Sequence, residues 1–182
     1  MNTPSLMLDL ESMSTRHDAA IVSIGAAIFD PYIPGEIGAT FETTIAMASN
    51  TELGRHIDPG TVQWWLTQSK TAQEALLGGD QYQLKHALTL FRAWVIEQNV
   101  QRVYANSPSF DCVILRSAFD AAGLRTPWQY WAERDVRTLK DLAQDANGEL
   151  PNFETGVAHK ALDDCLKQIA IVQTAYQRSQ QP

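Results

Sequence analysis

Asp9 and Glu11 stand one residue apart in an apolar run, Leu6-Met7-Leu8-Asp9-Leu10-Glu11. The run lacks Gly and Pro and reads as a β-strand. Side chains alternate across a strand, so the two acids share one face while Leu8 and Leu10 point to a core on the other. Two carboxylates buried side by side repel each other and lose hydration. A divalent cation between them removes both costs, and a donor set of oxygens suits a hard ion such as Mg²⁺ or Mn²⁺. The ordinary alternative is an edge strand whose acids face water.

Three further acids stand where elements begin. Asp111 follows the turn Asn106-Ser107-Pro108-Ser109-Phe110 and opens a helix. It is either the N-cap of that helix or a third carboxylate at the C-terminal end of a strand, where α/β sites collect. Asp163 and Asp164 fall in the first turn of the last helix, where acids also complement the helix dipole. His159 precedes them in Gly156-Val157-Ala158-His159-Lys160-Ala161-Leu162-Asp163-Asp164. A histidine near neutral pKa can accept a proton from an activated water, so this stretch joins a possible base to possible ligands. Among the other histidines, His17 lies in the first turn, and His56 and His86 read as structural.

The elements that must position these groups follow from pattern. Residues 20–30 form a second apolar, β-branched run that pairs with the first through a turn near Ser14–Asp18, and residues 39–47 form a third strand. Asp58-Pro59 starts a helix running to about Gln68, with Val62, Trp65 and Leu66 on one face. Residues 71–78 continue helically to Gly78-Gly79. Asp80 caps a helix carrying Leu84, Ala87, Leu88, Phe91 and Val95 at core spacing. Val100–Ala105 is a short strand, 111–122 a helix closed by Gly123, and 135–145 a strand end followed by a helix. Asn147-Gly148 and Pro151 mark a loop. The last helix runs from about His159 to Arg178, with Leu162, Cys165, Leu166, Ile169, Val172 and Tyr176 as its apolar stripe. A meander followed by alternating strands and helices predicts an α/β fold: a mixed sheet of about five strands, the first three antiparallel, flanked by helices.

Composition narrows the function class. The chain of 182 residues is 45% hydrophobic and 19% charged, which suits one domain over 1–182 with a sizeable core. A formal net charge of −7 and the lack of a basic run argue against a sequence-reading DNA-binding module. Cys112 and Cys165 fit no zinc pattern and no disulfide framework, so a reducing cytoplasm is the expected setting. No stretch is long and apolar enough to span a membrane.

Asp9-x-Glu11, Phe110-Asp111 and His159-x-x-x-x-Asp164, in that order, resemble the DEDDh 3′–5′ exonucleases of the ribonuclease-H-like superfamily. His17-Asp18-Ala19-Ala20-Ile21-Val22-Ser23-Ile24-Gly25, Thr61-Val62-Gln63-Trp64-Trp65, Pro127-Trp128 and Arg137-Thr138-Leu139 are similar to a phage and bacterial branch related to the mycobacterial-type 3′–5′ exoribonuclease. The resemblance covers nearly the whole chain. It implies a ribonuclease-H-like fold and removal of nucleoside 5′-monophosphates from the 3′ ends of DNA or RNA. It further implies that Asp9, Glu11, Asp111 and Asp164 bind two Mg²⁺ or Mn²⁺ ions, with His159 as general base, and that the chain forms a homodimer. Helical geometry alone faces His159 with Asp163, one turn on; the family spacing selects Asp164 and leaves Asp163 as a capping or supporting acid. One departure is Pro108, which stiffens the turn before Phe110-Asp111, where relatives often carry Asn-Gly.

Leu10, Ser12, Met13 and Phe110 are the substrate-side candidates. Met13 is placed to lie against a base, and Phe110 to stack on one. Trp64 and Trp65 are helix neighbours about 100° apart, so at most one is fully core. The other is covered by a loop or partner subunit, or else stands at a dimer contact or substrate groove. Cys112 and Cys165 each follow a candidate acid and read as small buried fillers. Three rivals remain: an exoribonuclease restricted to RNA 3′ overhangs or short oligomers, a catalytically silent nucleic-acid-binding partner module, and a hydrolase of small-molecule phosphodiesters.

Overall fold

In the computed structural model, residues 4–144, 148–150 and 156–180 are described. Among them a six-stranded mixed sheet has the order β4-β3-β2-β1-β5-β6. β1 (Ser5–Ser12), β2 (Ile21–Phe29) and β3 (Ile37–Ile45) form the antiparallel meander. β4 (Gln81–Tyr82), β5 (Arg102–Ala105) and β6 (Glu133–Asp135) each add in parallel. Seven α-helices flank the sheet among the described residues: α1 (Met47–Glu52), α2 (Pro59–Thr67), α3 (Lys70–Leu77), α4 (Leu84–Glu97), α5 (Asp111–Ala121), α6 (Val136–Ala143) and α7 (Ala161–Ser179). The arrangement is that of a ribonuclease-H-like α/β fold.

β1 is central, so its acids do not sit on a water-facing edge. Leu6, Leu8 and Leu10 pack on one side with Leu84, Leu88 and Phe91 of α4 and Ile114, Leu115 and Phe119 of α5. Met7 faces the other side, with Cys165, Ile169 and Val172 of α7. Asp9 and Glu11 continue that second face beyond Met7. β1 therefore leaves the core and enters the site along a single face.

α7 reaches this face because β2 lets it. Asp9 pairs with Gly25 across the β1–β2 ladder. A Cβ built on Gly25 would lie 2.3 Å from the carbonyl carbon of Ala161 and from the Leu162 nitrogen. Glycine is the residue that admits a helix backbone this near a strand. The Cys165 thiol then donates to the Gly25 carbonyl at 3.3 Å.

Several expectations are corrected. The sheet has six strands rather than about five, because the two-residue β4 is too short to leave a periodic signal, whereas β6 ends at Asp135, where a strand end is expected. Asp80 does not cap α4; Gln83 stands at the N-cap, and the Ser49 hydroxyl accepts the Leu84 N–H at 2.9 Å. The third strand ends at Ile45, and Met47 begins α1. Leu66 is 71% exposed, so the buried face of α2 rests on Trp65. The predicted loop at Asn147 and Pro151, and the expected helix end at Asp145, lie outside the described residues. The Asp58 carboxylate accepts the Thr61 N–H at 2.7 Å, as the Asp-Pro signal predicts.

Candidate active site

Asp9, Glu11, Asp111, His159 and Asp164 line one cavity of about 400 Å³, with Leu10, Asn106, Phe110, Lys140, Lys167, Gln168 and Ile171. Three local devices supply the acids. Asp9 and Glu11 share their face of β1. Asp111 is the first residue of α5, not its side-chain N-cap; Phe110 holds the cap position without a side-chain bond. The Asp111 carboxylate instead accepts the Leu10 N–H at 3.1 Å, which ties α5 to β1 between the two strand acids.

His159 lies before α7, in the left-handed region with φ +63°. Non-glycine residues in that region are uncommon and concentrate at functional sites. Its backbone N–H donates to the Asp164 carboxylate at 3.0 Å, while Lys167 Nζ pairs with the other Asp164 oxygen at 3.2 Å. Asp163 faces elsewhere, accepting the Val157 N–H at 2.8 Å and packing against Gly156. Since the imidazole is not part of the helix, the one-turn argument for Asp163 does not apply. Glu11, His159 and Asp164 each place a ligand atom within 4.8 Å of the others.

Burial of this many acids is costly. Burial foremost, then the charges of Asp111 and Glu11, hold the Asp9 carboxyl well above the ordinary carboxylate range, against a lowering hydrogen bond from Gln168. Glu11 is pushed up to about 8 by burial and by the charges of Asp164 and Asp111. Burial also raises Asp111, opposed by the Leu10 N–H. Carboxyls held in this state gain from any cation that enters among them. Carboxylate and imidazole donors are the set that oxygen-preferring divalent ions accept. The donor set and its electrostatics fit a divalent metal.

A second cavity of about 480 Å³ adjoins the first, sharing Leu10, Glu11 and Phe110. Ser12, Ser14, Thr15, Asp58, Thr61, Trp64 and Trp65 complete it. Trp65 is buried, its indole N–H donating to the Ser12 carbonyl at 3.1 Å. Trp64 is 44% exposed and meets the His159 ring edge to face at 5.0 Å. Of the substrate-side candidates, Leu10, Ser12 and Phe110 line this cavity. Met13 does not: it is buried beside Trp65, Val22 and Leu76, under the cavity rather than on its wall. Cys112 and Cys165 are buried free thiols held protonated by burial, as fillers would be.

Gln168, Asn106, Lys140 and Lys167 escaped the sequence reading. Lys167 and Gln168 left a usable signal, since they follow Asp164 by three and four residues and so share its face.

Among known proteins, the model of the Rv2179c-like 3'-5' exoribonuclease domain matches residues 4–176. An exodeoxyribonuclease of Enterobacteria phage T4 is 23% identical over 204 residues, covering 93% of this chain and 87% of that one. With a family match over nearly its whole length, the chain belongs to the Rv2179c-like 3'-5' exoribonuclease domain family and is a 3′–5′ exonuclease, a hydrolase acting on nucleic acid.

Proposed function

We propose that Asp9, Glu11, Asp111 and Asp164 hold two Mg²⁺ or Mn²⁺ ions and that His159 is the general base. The observation that carries this reading is the convergence of four carboxylates and one imidazole on a single cavity, three of those carboxyls raised well above their usual range. When bound, such ions supply Lewis-acid polarisation of the phosphoryl group and favour hydroxide over water.

The chain's own groups do the rest. His159 takes a proton from the attacking water. The water oxygen bonds to phosphorus as the bond from phosphorus to the 3′ oxygen breaks; that oxygen takes a proton from solvent water, and His159 returns its proton to solvent. A nucleoside 5′-monophosphate and a strand one residue shorter result. Lys140 and Lys167, on the same cavity, offer positive charge to the phosphate oxygens. Leu10, Ser12 and Phe110 offer the terminal nucleoside an apolar wall with one polar group, and Met13 backs that wall from beneath.

The substrate is a 3′ end of DNA, RNA or both. The family's description points to RNA, and the phage relative is an exodeoxyribonuclease. Matched 5′-labelled DNA and RNA oligomers, incubated with Mn²⁺ or Mg²⁺, test the reading. It expects a ladder shortening from the 3′ end, abolished by a chelator and by Asp9→Ala. A ladder that survives either treatment overturns the metal assignment, and the faster polymer names the sugar preference.

The reading takes residues 1–182 as one domain, supported by a family match across 4–176. It also places the enzyme in a reducing cytoplasm, which suits two free thiols. Among the described residues no helix is long and apolar enough to cross a membrane. A homodimer, implied by the family resemblance, is read directly by sedimentation over a concentration series; a monomer throughout removes it.

A further inference from the structure

Two buried side-chain oxygens have no hydrogen-bond partner among the described residues, Asn106 Oδ1 and Gln168 Oε1. Both residues line the cavity that holds the acids. Buried polar atoms are nearly always satisfied, so two orphans in one cavity mark the place where a ligand completes the structure. Gln168 is the more telling of the two. It is 6% exposed, and its amide Nε2 donates to Asp9 Oδ1 at 2.8 Å.

Gln173, one and a half turns further along α7, is the control that the molecule provides. It is equally buried, and its amide is fully used: Nε2 donates to the Asp30, Ile33 and Glu36 carbonyls, and Oε1 accepts the Gly35 N–H. A glutamine kept only for structure is saturated. Gln168 spends its donor on a candidate ligand and leaves its acceptor open.

We infer that Gln168 is a positioning residue: its amide N–H fixes the Asp9 carboxylate in the orientation that receives the cation, and its open oxygen takes up a donor that arrives with the loaded site. The inference rests on the metal reading above. An amide suits this position because it donates without adding another charge. A carboxylate would enlarge the repulsion among the acids, and an ammonium would compete with the cation. Removing a partner that orients a metal ligand lowers metal affinity by about 10- to 100-fold.

The test is Mn²⁺ binding by calorimetry to the full chain without substrate, for wild type, Gln168→Met, Gln168→Asn and Gln173→Met. Methionine keeps the volume and lacks the donor; asparagine keeps the amide but is too short to reach Asp9. Both Gln168 variants are expected to bind Mn²⁺ about 10- to 100-fold more weakly, with Gln173→Met near wild type. In activity assays the Mn²⁺ concentration for half-maximal rate should rise likewise, while kcat at saturating Mn²⁺ returns to within a few-fold. Melting curves of the metal-free proteins establish that each is folded; if one Gln168 variant is not, the other carries the test. Wild-type affinity in a folded Gln168 variant overturns the inference. A wild type that binds no Mn²⁺ overturns the metal reading itself, and the inference with it.

Discussion

The two halves of α7 contrast in how they use buried polarity. The C-terminal half is satisfied everywhere: Ile169 and Val172 fill the core and Gln173 closes four hydrogen bonds across to the β2–β3 connection. The N-terminal half is not. It brings Asp164 to a cavity already holding three acids and leaves Gln168 Oε1 unpartnered. The C-terminal half holds the sheet and the N-terminal half accepts instability where chemistry occurs. Strain and unsatisfied groups concentrate at functional sites because the surrounding structure can impose them.

Substitutions at the two ends of α7 should therefore have opposite effects. The largest is expected at Asp164. Asp164→Asn removes a proposed ligand whose metal supplies several kcal/mol of transition-state stabilisation, so kcat should fall by roughly 10³-fold or more. The metal-free variant should melt at or above the wild-type temperature, because it relieves repulsion with Glu11. Steady-state kinetics and a thermal melt at pH 8 measure both; a lowered melting temperature would contradict the strain argument.

Gly25→Val tests what brings the two halves to their places. Its side chain would enter the backbone of α7 at Ala161–Leu162. Overpacking of this kind costs about 1–3 kcal/mol or more, and activity should fall with stability because Asp164 moves with the helix. Chemical denaturation read beside kcat would show the two losses together. At the far end, Gln173→Leu removes four hydrogen bonds to the β2–β3 connection, although the Asp30 and Ile33 carbonyls still accept the Ile33 and Glu36 N–H groups. Stability should drop by about 1–3 kcal/mol with kcat unchanged in the folded fraction; a selective loss of kcat would erase the contrast.

A further effect concerns pH. Glu11 in the folded metal-free protein titrates near 8, above its value in the unfolded chain, so folding binds a proton. Its contribution is fully present below the unfolded value of about 4.3 and is lost as pH rises through about 8. Relative to Glu11→Gln, metal-free wild type should thus lose stability between pH 5 and 8. Mn²⁺ should restore it most at the alkaline end, where protons no longer compete. Melts of both proteins across that range measure it, and parallel curves would contradict a raised Glu11.

Sequence patterning alone carried the meander, the core helices and the candidates Asp9, Glu11, Asp111, His159 and the adjacent pair Asp163 and Asp164, because each has a local signature. Asp9 and Glu11 show period-two spacing in an apolar run, Asp111 opens a helix after a turn, and His159 stands before paired acids. The choice of Asp164 over Asp163 came from family resemblance; helical periodicity favoured the other. The geometry explains why, since the left-handed backbone at His159 lies outside α7 and no periodicity reaches it. Gln168 was missed because its spacing from Asp164 says only that the two share a helix face, and its role appears only once Asp9, 159 residues away in sequence, lies beside it. Met13 was expected against a base and is buried instead, because β1 shifts register at Glu11–Ser12 and the following chain turns under Trp65. β4 was invisible for its shortness and β6 showed only its end at Asp135: their pairing is decided by the neighbouring strands.

Asp163 and Asp164 are adjacent, identical in type and different in surroundings, so a matched pair of asparagine variants tests the central claim most directly. On a 5′-labelled oligomer with Mn²⁺, Asp164→Asn should leave the 3′ end intact, while Asp163→Asn should give a ladder at a rate near wild type. A ladder from Asp164→Asn, with none from Asp163→Asn, would contradict the site described.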